Sequence, residues 1–131
     1  MILHKSEYVE VSYEQENSML IEKFLPSTTN MTDDEFKKEM SIIYDMVDKK
    51  KPKIALINLL DMKYVIGLEM QEWMNKKILT AEVNFKKSAY IVPTELFAQV
   101  SVEQTMDEEV GQKIVKQYFE NEDEARKWLL E

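Results

Sequence analysis

The residues with most to offer a ligand lie between positions 61 and 74. Asp61 closes the apolar run Ile54 to Leu60, which only Asn58 interrupts. Open α/β sheets place ligands beyond the carboxyl ends of their strands, so an acid there is a candidate contact. A short acid at such a turn also bonds readily to nearby backbone N–H groups, and capping is the alternative role for Asp61. Met70, Trp73 and Met74 recur at helical spacing. Thioethers adapt to irregular shapes, so this stripe lines an apolar pocket, meets a partner, or packs on a sheet. Tyr64 and Phe97 complete the expected ligand-binding set.

Most other chemistry is excluded by what the chain lacks. His4 is the single histidine, placed where a frayed terminus is expected, so a histidine general base has no seat. With no cysteine there are no disulfides, thiol nucleophiles or zinc-thiolate sites. Two distant glycines, Gly67 and Gly111, make neither a P-loop nor a dinucleotide fingerprint. Carboxylates cluster at Asp33-Asp34-Glu35, Asp107-Glu108-Glu109 and Glu122-Asp123-Glu124. The first and third suit helix starts, where acids meet the positive end of the dipole. The expectation is therefore no catalytic residue, no metal and no cofactor.

A net charge of −8 repels nucleic acid and anionic bilayers at long range. Lys76 and Lys77, with Lys86 and Lys87, offer a local basic rim that allows peripheral membrane contact. The longest apolar run is far short of the roughly 20 residues that span a bilayer, so no transmembrane segment is expected. Met1 to Ser12 lacks the apolar run of a signal peptide, and a cytoplasmic location is expected.

The elements that position these residues follow from periodicity. A chain of 131 residues, 44% apolar and 32% charged, suits one globular domain over residues 1–131. Tyr8 to Tyr13 alternates Val9, Val11 and Tyr13 against Glu10 and Ser12, as a strand does. Met19 to Leu25 carries Met19, Ile21 and Leu25 on one face and Leu20 and Phe24 on the other, and pairs with it as a hairpin. Thr32 with Glu35 forms a capping box that opens a helix bearing Phe36, Met40, Ile43, Tyr44 and Val47. Lys49 to Lys51 and Pro52 close it.

Ile54 to Leu60 reads as a central strand buried on both faces. A second helix follows Gly67, with Met70, Trp73, Met74, Lys77 and Ile78 on one face. Ser88 to Val92 is a strand, and a third helix from Thr94 carries Leu96, Phe97, Val100 and Met106. Ile114 to Phe119 is the last strand, and Asn121 with Glu124 caps a final helix anchored by Ala125, Trp128 and Leu129. The expected fold is a layered α/β domain, β-β-α-β-α-β-α-β-α, with a mixed sheet of about five strands and about four helices joined by right-handed crossovers.

This order, the strand ending Ile57-Asn58-Leu59-Leu60-Asp61, the segment Glu69-Met70-Gln71-Glu72-Trp73 and the ending Tyr118-Phe119-Glu120-Asn121-Glu122-Asp123-Glu124-Ala125-Arg126-Lys127-Trp128-Leu129 together resemble the SpoIIAA-like branch of the STAS superfamily. That fold is shared more distantly with lipid-carrying CRAL-TRIO domains. The resemblance covers nearly the whole chain and implies a non-enzymatic binding module, with a lipid or other apolar ligand under the second and third helices. The alternative it implies is a protein-interaction or regulatory module, meeting a partner or a second copy through Leu68, Met70 or Trp73. In sigma-factor-antagonist relatives a phosphorylated Ser starts the helix after the central strand. Asp61 to Leu68 contains neither Ser nor Thr, so that switch is not carried over.

Overall fold

A computed structural model describes residues 1–80, 85–93 and 115–131, with the side chains of 78–80 excepted. Within them the chain is α/β. A mixed sheet runs in sequence order through β1 (Ile2–Lys5), β2 (Val9–Glu14), β3 (Met19–Phe24), β4 (Ile54–Asn58), β5 (Lys87–Ile91) and β6 (Val115–Phe119). Helices α1 (Asp33–Lys50), α2 (Leu68–Thr80) and α3 (Glu122–Leu129) pack on it. The helix expected from Thr94, with Leu96, Phe97, Val100 and Met106, lies outside the described residues, as does Ile114.

β1, β2 and β3 pair antiparallel, and β3, β4, β5 and β6 pair parallel. The sheet thus holds six strands among the described residues, one more than the periodicity predicts. The extra strand is β1, a short edge whose pairing slips between Ile2 and His4. An edge strand with a bulge carries no clean alternation, so its sequence looks like a loose terminus.

His4 is accordingly not frayed. Its Nε2 lies 2.9 Å from Glu39 Oε1, and Ser6 Oγ donates to Glu39 Oε2 at 2.6 Å. Glu39 is buried on α1, so these contacts tie the first hairpin to the helix and satisfy a carboxylate that would otherwise be costly to bury. Tyr8 reinforces the tie by donating its hydroxyl to Glu35 at 2.7 Å. His4 and Ser6 share the acid from opposite oxygens, a clasp rather than a nucleophile and its base.

α1 starts as its sequence dictates. Thr32 Oγ1 accepts from the Glu35 N–H, and Glu35 Oε1 accepts from the Thr32 N–H, so each satisfies an orphan donor of the other. The helix ends with Lys51 in the left-handed region at φ 50°, its N–H bonded to Val47 O at 2.8 Å. At α3, Asn121 Oδ1 accepts from the Glu124 N–H at 2.9 Å, the forward half of the expected box.

The sheet's two faces carry separate cores. Leu20, Phe24, Ala55 and Ile57 meet Phe36, Met40, Ile43 and Val47 of α1 and Met70 of α2. Met19, Leu56, Ala89, Ile91 and Phe119 meet Ala125 and Leu129 of α3. β4 is buried on both faces through Ile54, Ala55, Leu56 and Ile57, as its unbroken apolar run demands. α1 and α2 share a face because successive parallel crossovers of one hand, stepping in one direction, return to the same side.

The lysines do not form one rim. Lys77 Nζ sits 5.9 Å from the Trp73 ring centre on the α2 side. Lys87 Nζ lies on the α3 side, 4.9 Å from the Trp128 ring centre, and donates to Trp128 O at 2.8 Å. Strand alternation divides them, because Lys87 shares its face with Ala89 and Ile91. No helix among the described residues is long and apolar enough to cross a membrane.

Candidate functional site

Between α1, α2 and the first face of the sheet lies a cavity of about 150 Å³. Phe36, Met40, Ile43 and Val47 form its helix wall, Phe24 and Ile57 its sheet floor, and Met74 its α2 side. Leu59, Met62 and Ile66, from the segment joining β4 to α2, border it as well.

That segment is irregular, yet it is tied at several points. Leu60 N–H donates to Asn58 Oδ1 at 3.0 Å, turning the chain as it leaves β4. Lys63 N–H donates to Thr28 Oγ1 at 2.8 Å, and Thr28 donates to Leu25 O at 2.7 Å from a fully buried site. Tyr64 stacks on Phe36 with ring centres 4.8 Å apart and donates its hydroxyl to Asp33. Gln71 Nε2 donates to Ile66 O at 3.0 Å from the first turns of α2.

Glu22, Tyr44, Ser88, Tyr90 and Lys116 bring polar groups to this apolar space. Glu22 sits on β3 between the inward-facing Leu20 and Phe24 and is only 7% exposed. Its carboxyl has no hydrogen-bond or ion-pair partner among the described residues. Burial alone pushes it up to about 7 from an ordinary 4.5, because an ionised carboxylate loses its hydration there. Tyr44, on α1, holds a buried hydroxyl that likewise lacks a partner. Burial holds the Tyr44 phenol well above its ordinary range, and the charges of Glu22 and Tyr90 add to the effect. Buried polar groups are nearly always paired, so two without a partner in one cavity make it the candidate site.

The expected site residues are placed unevenly. Met74 lines the cavity, and Trp73 is half-buried beside it, its ring centre 6.2 Å from that of Tyr44. Met70 is core, 2% exposed. Tyr64 acts through Phe36 as a strut. Asp61 is exposed in the turn, and the turn-capping bond is made by Asn58 instead, three residues earlier. Phe97 lies outside the described residues.

The alternatives for an interaction surface, Leu68, Met70 or Trp73, differ in exposure. Leu68 is 73% exposed, and Met70 faces the sheet. The cavity lies under the first and second helices, where Phe36, Ile43 and Tyr44 of α1 contribute more wall than α2.

Nothing local in the sequence marks the Tyr44 hydroxyl, whereas Glu22 carries a signal. Alternation puts it on the same face as Leu20 and Phe24, so a buried acid follows as soon as that face is the inner one. Comparison with protein-family models, with curated proteins and with solved structures finds no match.

Proposed function

We propose that this chain is a non-enzymatic binding module that takes a small apolar molecule into the cavity beneath α1 and α2. The observation that carries the reading is the cavity itself: mostly apolar walls, about 150 Å³, and Glu22 and the Tyr44 hydroxyl without partners among the described residues. Ligand sites combine those features, an apolar lining for affinity and a few polar groups for orientation. Engineered cavities of about this size, lined by Leu, Ile and Phe, take up benzene. The volume therefore suits one ring or a short chain better than a full acyl tail.

The STAS-like resemblance belongs to the same proposal. It is supported by the hairpin followed by parallel strands in sequence order, and by the burial of Ala125 and Leu129 on α3. An interaction module through Leu68, Met70 or Trp73 has support from Leu68 alone, which is exposed, since Met70 is buried and Trp73 half-buried.

The methyl resonances of Met40, Ile43, Ile57 and Met74 test this proposal. Adding benzene to purified protein is expected to shift them together and saturably, while Ala125 and Leu129 on the far face stay fixed. Unmoved cavity methyls at saturating benzene would remove the reading.

A further inference from the structure

We propose that the natural occupant of this cavity is a small apolar amine, whose ammonium group pairs with the Glu22 carboxylate while its hydrocarbon part fills the space between α1 and the sheet. The inference rests on the ligand-binding reading above and adds a chemical class to it. It begins from the orphaned acid, since Glu22 borders the cavity with no partner among the described residues.

Among the described residues, no cation stands close to Glu22. Glu22 is faced by Tyr44 from α1, by Ile57 from β4 and by Tyr90 from β5, while α2 contributes Met74. Lys116, the one cationic side chain in the lining among the described residues, belongs to β6, three strands from β3. At about 4.8 Å per strand its backbone stands roughly 14 Å across the sheet from that of Glu22. The acid's only perturbation is burial, as expected where no positive charge is close.

Each class of ligand meets this arrangement differently. An anion would face both Glu22 and a protein of net charge −8. A purely apolar ligand would fill the space and leave the acid as costly as before. An ammonium supplies N–H donors that a carboxylate can accept, and the Tyr44 oxygen is a further acceptor. Phe24, Phe36, Tyr44, Phe85 and Tyr90 all border the cavity, and aromatic faces attract a desolvated cation. Charge, hydrogen-bonding capacity and wall chemistry agree on the amine.

Calorimetric titration with benzylamine, benzyl alcohol and toluene tests the inference. At pH 8 and fixed salt, benzylamine is expected to bind at least tenfold more tightly than either uncharged analogue. Glu22→Gln is expected to erase that preference while leaving toluene binding in place. In the unmutated chain the preference should fall by roughly tenfold per pH unit below about 7, as Glu22 gains its proton and the amine keeps its own.

If benzyl alcohol or toluene binds as tightly as the amine, the amine assignment fails and the apolar-cavity reading stands. A preference that survives Glu22→Gln, or ignores pH, places the amine elsewhere and overturns the assignment too. If none of the three binds, the cavity reading fails and takes the assignment with it.

Discussion

Glu22→Gln is expected to stabilise the empty protein by about 3 kcal/mol at pH 8 and to leave it nearly unchanged at pH 4. The folded carboxyl titrates at about 7, against an ordinary 4.5. Below about 4.5 both folded and unfolded chains carry a neutral acid, and Glu22 costs nothing extra. Between about 4.5 and 7 the unfolded chain releases the proton and the folded chain keeps it. Stability then falls at about 1.4 kcal/mol per pH unit. Above 7 the loss is complete. Gln carries no titrating proton, so this part of the slope should vanish in the variant. Urea unfolding at a series of pH values, with m-values compared, reads the effect directly. An equal slope in both proteins would mean that Glu22 is solvated or paired.

Phe36→Ala is expected to cost about 3–5 kcal/mol, the range for removing a buried ring whose surroundings cannot collapse. Phe36 is 1% exposed, and it touches three parts of the fold at once. It sits in the α1 stripe, walls the cavity, and bears the Tyr64 ring that steadies the segment between β4 and α2. Alanine would enlarge an existing cavity and release Tyr64 from its stack. The urea midpoint should drop sharply, and Tyr64→Phe, which keeps the stack and loses only the hydroxyl bond to Asp33, should cost far less. A loss below about 1 kcal/mol for Phe36→Ala would show that the cavity wall re-packs freely.

These two residues also show why part of the structure is legible in the chain. Phe36 is one of five apolar residues spaced along α1, and the box of Thr32 and Glu35 fixes where that helix begins. Both signals are local, made within a few residues, and survive any tertiary arrangement. β4 is readable for a similar reason, since an unbroken apolar run needs cover on both faces. β1 is not, because its pairing depends on β2 and its contact with α1 depends on Glu39, thirty-five residues beyond His4.

The site sits between these cases. Alternation places Glu22 with Leu20 and Phe24, but whether that face meets solvent or α1 is decided by the crossover. Tyr44 occupies the helical stripe correctly, while the missing partner for its hydroxyl exists only once the sheet is opposite. Asp61, at the end of the central strand, is the more visible acid in the sequence. Asn58 captures the turn first, because an Asx side chain reaches the N–H two residues on.

Most depends on Glu22 standing without a partner among the described residues of an apolar cavity. Carbon-13 labelling of the glutamate side chains and a pH titration of the Glu22 carboxyl resonance, assigned by its loss in Glu22→Gln, measures that condition without ligand. A midpoint near 7 is predicted. A midpoint at the ordinary 4.5 would show that water or a cation reaches the carboxylate, contradicting the site described here.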